Sequence, residues 1–319
     1  MRPRDATPRT SDVGSAFCIC VPARDEEQRL PILLNALADQ DIDGLIPIAI
    51  CLNNSVDRSD QMIEEARIRH RGRLKIHLDR CSFSESLAHA GSARSAAMQL
   101  GARTLTFDGV LLTTDADARP PLDWVRENLR AIAAGADIVG GKLELDECEP
   151  LTSASARAQK SWALYWRQVR EIEDAIDLRP DDPPPRHGDH TGASLALTLD
   201  IFRRAGGVPL IPIGEDRALV DAAVMAGGRL VHPLRVWTRV SPRYDGRAAG
   251  GMAETMRTMD AKLSAGHELM VPAFAHWLER ARWRRSMRDN RTSDAEIIAA
   301  ERTLPPMPHD MRLAEMAGD

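Results

Sequence analysis

Gly109-Val-Leu-Leu-Thr-Thr-Asp-Ala-Asp-Ala-Arg-Pro-Pro121 is the stretch that decides the fold of this chain. Its first half is a short apolar run, the mark of a buried strand, and its prolines stop a ladder. Asp115 and Asp117 stand directly behind the run, and side chains two apart on an extended chain point to the same side. Both carboxylates are therefore expected at the strand's C-terminal end, where open α/β sheets take their ligands. Two convergent carboxylates can hold a hard divalent cation, which can in turn bridge a diphosphate. Alone, an Asp-x-Asp is as often a solvated turn, so its meaning depends on the segments around it.

Strand and helix patterns alternate on the N-terminal side. Ala16–Val21, Pro47–Leu52 and Leu74–Leu78 read as strands. Gln28–Asp39 has helical spacing, with Leu30, Leu33, Leu34 and Leu37 on one side. Asp57–Arg69 follows as a helix capped by Asp57 or Ser59, and Gly91–Ala102 as a helix of small residues able to lie close to a sheet. With Gly109–Thr114 as the fourth strand and Leu122–Ala134 as the next helix, the order is βαβα. That order predicts an α/β fold with a Rossmann-like, mostly parallel sheet and helices on both faces. Further on, the pattern predicts a strand over Ile138–Leu145, a long helix over Ser153–Ile176 and a mobile loop at Asp181-Asp-Pro-Pro-Pro-Arg186. A strand (Ser194–Thr198), two helices (Asp200–Ala205, Glu215–Ala226) and a strand (Arg229–Val236) follow. From about Gly250 to Thr303 the chain reads as a helical C-terminal extension.

With 319 residues, 43% of them apolar, the chain can bury a sizeable core. A net charge of −5 excludes a general nucleic-acid binder. Cys18, Cys20, Cys51, Cys81 and Cys148 are irregularly spaced and give no zinc pattern, which fits a reducing cytosol and a cytoplasmic protein. Residues 1–15 are polar and read as a disordered lead-in rather than a signal peptide. No stretch approaches the ~18 apolar residues of a membrane span.

Five further segments carry candidate chemistry, each with a bland reading beside it. Val21-Pro-Ala-Arg-Asp-Glu-Glu27 ends the first strand, where Pro22 is expected to halt the ladder and expose backbone at Pro22 and Ala23. Arg24 could meet phosphate and Glu26 a ribose, or both could be solvated charges of a turn. Asn53-Asn-Ser-Val-Asp57 offers groups that read a nucleobase edge, or an Asx turn with a helix cap. Gly91-Ser-Ala-Arg-Ser95 places Arg94 near a helix N-terminus, where anions are favoured, with a glycine that lets a ligand approach. Gly214-Glu-Asp216 opens a helix as simple capping or as a general base for an acceptor hydroxyl. His190-Thr-Gly-Ala-Ser194 has a glycine that would admit a sugar ring, or is an ordinary turn.

In order along the chain, these blocks resemble the family 2 glycosyltransferases of the GT-A fold. The resemblance covers about residues 16–240 and implies a GT-A domain over 16–245, followed by a helical extension over 246–319. It implies that Pro22, Ala23, Arg24, Glu26, Asn53, Arg94, Asp115 and Ala116 bind a nucleotide-diphosphate sugar. It further implies that Asp117 and Asp115 hold Mg²⁺ or Mn²⁺, and that Asp216, or Glu215 beside it, is the catalytic base. His190 and Gly192 would stand on the acceptor side. The implied reaction is an inverting transfer to a small-molecule or lipid-linked acceptor, with room for a peripheral membrane contact and a homodimer.

Some features depart from the family pattern. The turn reads Asn53-Asn54 where aspartate is common, and neither His232 nor His267 is a clear further metal ligand. Arg243 and Arg247 could clamp a diphosphate in that region instead. Trp162, Tyr165 and Trp166 could stack on a sugar or simply pack. The arginines from Arg280 to Arg288 could meet an anionic surface, a subunit or only solvent. A sugar nucleotidyltransferase is the second reading, weakened by the lack of a Gly-rich basic loop after the first strand. A non-catalytic GT-A-like binding module is the third.

Overall fold

A computed structural model of the chain describes residues 16–105, 109–149, 151–246 and 251–313. The N-terminal lead-in and Arg247 lie outside the described residues. The elements run β1 (Phe17–Ala23), α1 (Leu30–Ala38), β2 (Ile46–Asn53), α2 (Ser59–Arg69), β3 (Leu74–Cys81), α3 (Ala90–Arg103), β4 (Val110–Thr113) and β5 (Ala118–Arg119). Then come α4 (Trp124–Ala133), β6 (Ile138–Gly140), β7 (Lys142–Leu145), α5 (Ser153–Ile176), β8 (Leu195–Thr198), α6 (Leu199–Arg204) and α7 (Glu215–Met225). The chain closes with β9 (Leu230–Val231), β10 (Trp237–Val240), α8 (Met252–Ser264), β11 (Met270–Val271), α9 (Phe274–Asp289), α10 (Asp294–Glu301) and β12 (Met311–Arg312).

The main sheet has the order β3-β2-β1-β4-β8-β6-β9, and only β8 runs against the others. Alternation along β1 explains its two covered faces. Ile19 and Val21 point into a core with Leu30, Leu33 and Leu34 of α1 and Trp124 of α4. Cys18 and Cys20 point into the opposite core, with Ala93, Ala97 and Met98 of α3 and Leu219 of α7. The free thiols act there as small hydrophobes, so α3 can lie close to the sheet. Gly101 makes that approach possible: a Cβ at this position would sit 2.6 Å from the Cys20 sulfur.

Three expectations from sequence change. Pro22 does not halt β1, which stays in register with β2 through Ala23. The Cys20 carbonyl accepts from Thr114 on the β4 side, so Pro22, two residues on, turns its missing N–H toward the same side. The β1–β4 register ends at Cys20, so the proline breaks no ladder bond. The strand expected over 138–145 is cut in two at Gly141, where a Cβ would lie 1.9 Å from the Ser194 hydroxyl. The halves join different sheets. The run expected over 229–236 likewise supplies only β9, and after a turn the chain restarts as β10.

A small sheet, β5-β10-β7, stands beside the end of β4. It fixes the segment after β10 against the aspartate turn, where Ser241 N–H donates to the Asp117 carbonyl at 3.2 Å. The C-terminal helices are not one continuous stretch: β11 separates α8 from α9, and β12, which follows α10, pairs back onto β11. Tyr165 of α5, Val271 and Leu313 form a third core there, and the Tyr165 hydroxyl donates to the Pro272 carbonyl at 2.8 Å. No helix among the described residues is long and apolar enough to cross a membrane.

Gly101→Val forces two methyl groups between α3 and the thiols of β1. The expected loss is about 1–3 kcal/mol of unfolding free energy, read from the urea midpoint at unchanged slope.

Candidate active site

Arg94 is the centre of the site and only 4% exposed. Its Nε donates to Glu215 Oε1 at 3.0 Å, and its Nη1 to Thr113 Oγ1 and the Gly192 carbonyl, each at 2.9 Å. Its Nη2 donates to Asp115 Oδ1 at 2.7 Å. Burial works against the charge, but Asp115 and Glu215 hold the guanidinium above its ordinary pKa. The small residues of α3 let this side chain run inward toward the end of β4. Two glycine roles expected from sequence are thereby corrected. A Cβ on Gly192 would lie 2.2 Å from the Arg94 guanidinium carbon, so Arg94, not a sugar ring, fills that space. A Cβ on Gly91 would lie 2.3 Å from the Ile211 carbonyl, so this glycine admits a loop of the protein itself.

The aspartates do not extend β4 as an alternating strand. Residues 115–118 form a turn, closed by the Ala118 N–H on the Asp115 carbonyl at 3.1 Å, with Ala116 buried inside it. Asp115 goes to Arg94, while Asp117 meets Arg243 at 3.0 Å. Arg243 also grips Glu26 with both terminal nitrogens. Burial, opposed by Arg243 but reinforced by Asp115 and Glu26, pushes the Asp117 carboxyl up to about 7.

No cluster of three or more His, Cys, Asp or Glu side chains among the described residues could hold a metal by itself. The donor set does suit a shared cation. Asp115 and Asp117 each give one oxygen to an arginine and keep another, and Mg²⁺ in a diphosphate complex needs only one or two carboxylates. His232 is committed elsewhere, and His267 is exposed in the segment after α8.

The N-terminal edge is formed by the ends of β1 and β2. Arg24 donates to the Ala88 carbonyl at 2.9 Å. The Glu26 N–H is held by Ser59 Oγ at 2.7 Å, and the Glu27 N–H by Asp57 at 2.9 Å. Asn54 exchanges two hydrogen bonds with the Phe83 backbone, so its amide is occupied. Asn53 spends its NH₂ weakly on the His89 carbonyl at 3.4 Å, and its buried Oδ1 has no partner.

Glu215 and Asp216 part company at the start of α7. Glu215 is buried in the pair with Arg94. Asp216 accepts from the Gly192 and Arg217 N–H groups, each at 2.7 Å, and lines a cleft of about 860 Å³. Helices α5, α7, α9 and α10 wall this cleft, and Trp162, Trp166 and His190 also face it. The α9 arginines that line the cleft are paired within the chain. Arg284 bonds Glu173 at 2.7 Å and Glu301 at 2.5 Å, Arg280 joins Glu301, and Arg288 joins Asp177 and Asp294.

The proline-rich segment is pinned rather than free. Asp182, 2% exposed, accepts from the His232 N–H at 2.8 Å and shares a 2.7 Å bond with its Nδ1. Arg186 pairs with Asp174 at 2.7 Å. His232 Nε2 lies 3.1 Å from His190 Nδ1. Sequence reading missed this chain, because His232 lies 50 residues from Asp182 and 42 from His190; the only signal was an aspartate before three prolines.

Two outcomes follow. Arg94→Met leaves Glu215 buried without its cation and should cost about 3–5 kcal/mol in urea unfolding, whatever the activity. Burial and His232 push His187 down to about 3. Burial, His232 and Arg217 likewise push His190 to about 4, against smaller opposing effects of Asp221 and Asp216. Unfolded histidines near the ordinary 6.5 bind protons that these folded ones refuse, so this stability is present above 6.5 and lost as pH falls toward 4. Replacing both by glutamine should flatten that part of the unfolding free energy measured against pH.

No curated protein sequence matches the chain. Solved structures resemble it in fold. Staphylococcus aureus TarS residues 1–349 with UDP-GlcNAc is 14% identical, with a TM-score of 0.52 over 91% of this chain and 76% of that one. The mannosyltransferase PcManGT from Pyrobaculum calidifontis, with GDP-Man and Mn²⁺, is 15% identical, with a TM-score of 0.50 over 95% of this chain and 82% of that one. The chain spans 43% of the longer TarS structure. The family model "Glycosyl transferase family 2" matches residues 18–180, more than half of the sequence. On that match, and with a GT-A sheet carrying Asp115 and Asp117 at its C-terminal edge, the chain belongs to the family 2 glycosyltransferases.

Proposed function

We propose that this enzyme moves a sugar from a nucleotide-diphosphate sugar to a hydroxyl presented in the cleft, with inversion at the anomeric carbon and Asp216 as base. The position of Asp216 carries the reading. It is a carboxylate at the cleft wall whose orientation is fixed by two backbone N–H groups. Glu215, in contrast, spends its charge on Arg94.

The donor would lie over the ends of β1, β2 and β4. The unpartnered Asn53 Oδ1 would accept from a nucleobase N–H, with Pro22, Ala23 and Arg24 beside it. Glu26 would take ribose hydroxyls once Arg243 turns toward the diphosphate. Asp115 and Asp117 would hold Mg²⁺ or Mn²⁺ against that diphosphate, as the Mn²⁺ in the PcManGT structure suggests. Such a cation supplies charge to the departing nucleotide. Arg94 would keep Asp115 and the Gly192–Asp216 bond in register, so donor and base meet at one place. Residues 16–245 would form the catalytic unit, with α8–α10 completing the acceptor side.

The test is nucleoside diphosphate release from UDP, GDP, CDP and dTDP sugars, each with and without Mn²⁺, in the presence of methyl glycosides. One donor class should turn over with metal. Asp216→Asn should cut turnover about 10²–10⁴-fold while the donor Kd stays within twofold. Equal turnover in the variant would remove Asp216 from the role.

A further inference from the structure

With His232 neutral, the chain Asp182–His232–His190 has one chemically consistent arrangement of protons. An ionised Asp182 only accepts, and its hydrogen bond to His232 holds its carboxyl below the ordinary pKa even though burial pushes it up. His232 must therefore carry its proton on Nδ1, where Asp182 Oδ2 lies 2.7 Å away. Its Nε2 then offers a lone pair, so His190 donates to it from Nδ1 at 3.1 Å. Neutral His190 is left with a bare Nε2, which bonds to no described residue and is not buried away from the cleft that its residue lines. The arrangement is rigidly backed. Arg186 stands 3.5 Å from Asp182, and the His187 ring packs edge-on to His232 at 5.6 Å. His190 is also two residues before Gly192, whose N–H orients Asp216.

A buried Asp–His pair costs desolvation, and nothing in the fold needs His190 to present an acceptor rather than a donor. The surroundings indicate what it meets. The cleft arginines of α9 are matched by Glu173, Asp177, Asp294 and Glu301, so the α9 wall offers an anion no unpaired arginine. Trp162, 38% exposed, and Trp166 give it flat apolar faces. Resting on the transferase reading above, we propose that His190 Nε2 is the hydrogen-bond acceptor for a hydroxyl of an uncharged, sugar-like acceptor. Asp182 acts through His232 as the positioning residue that keeps that nitrogen unprotonated.

Asp182→Asn tests the relay. The His232 backbone N–H can only donate, so the asparagine oxygen must turn to it and its NH₂ to the ring. His232 then reverses its tautomer and His190 follows, converting Nε2 from acceptor to donor. Nitrogen-15 spectra of the imidazoles read this directly. Wild-type His190 should show an unprotonated Nε2 that shifts on titration with methyl β-D-glucopyranoside. In Asp182→Asn the proton should move to Nε2, and the apparent Kd for the glucoside should weaken at least fivefold. In a His190→Gln background, whose amide oxygen needs no relay, Asp182→Asn should add less than twofold. A protonated Nε2 in the wild type, an unmoved tautomer in a folded Asp182→Asn, or a glucoside titration that leaves His190 unshifted overturns the proposal. The wild-type spectrum decides the first point even where the variant does not fold. Absence of nucleoside diphosphate release would overturn the transferase reading separately, since the spectra need no donor.

Discussion

The site depends on satisfying one buried guanidinium. Arg94 cannot lose its proton, so a fold that encloses it must supply oxygens in its plane. These come from four separate places: the end of β4, the turn behind it, the loop before β8 and the first residue of α7. The arginine therefore determines where those segments stop relative to one another. Asp115 is fixed behind β4 and Asp216 at the cleft because Asp115 itself and Glu215, beside Asp216, are tied to the same cation. The demand also fixes a residue type, since Gly192 is glycine where a methyl group would strike Arg94.

A second arginine repeats this logic more loosely. Arg243 spans Glu26 and Asp117 beyond the ends of β1 and β4, where three carboxylates crowd one place. A ligand bringing phosphates and a divalent cation changes both sides of that balance. The cleft beside α7 instead pairs its α9 arginines within the protein, with carboxylates at α5 and α10. One wall is thus open to charge rearrangement, while the other is closed to it.

What could be read from sequence was local. The long helix from Ser153 to Ile176 is bounded as its periodicity indicates, and β4 with its aspartates lies where the apolar run places it. The strands were harder wherever a distant residue decided. Gly141 divides a run only because Ser194 occupies its space, and Pro22 is harmless only because β4 has already ended. The division of labour between Glu215 and Asp216 was equally hidden, since it depends on Arg94, 121 residues earlier. The Asp182–His232–His190 chain left no periodic trace, because side-chain hydrogen bonds obey no spacing rule.

The Arg243–Glu26 contact joins residues 217 positions apart. Synthesis runs from the N-terminus, and Glu26 is among the first residues of the sheet to emerge. The strands β1 to β4 can assemble while most of the chain is still being made. Glu26 and Asp117 must then wait without their arginine until the segment after β10 has left the ribosome. The nascent chain therefore holds a folded sheet well before the edge at Glu26 and Asp117 is finished, and that edge is completed late and all at once.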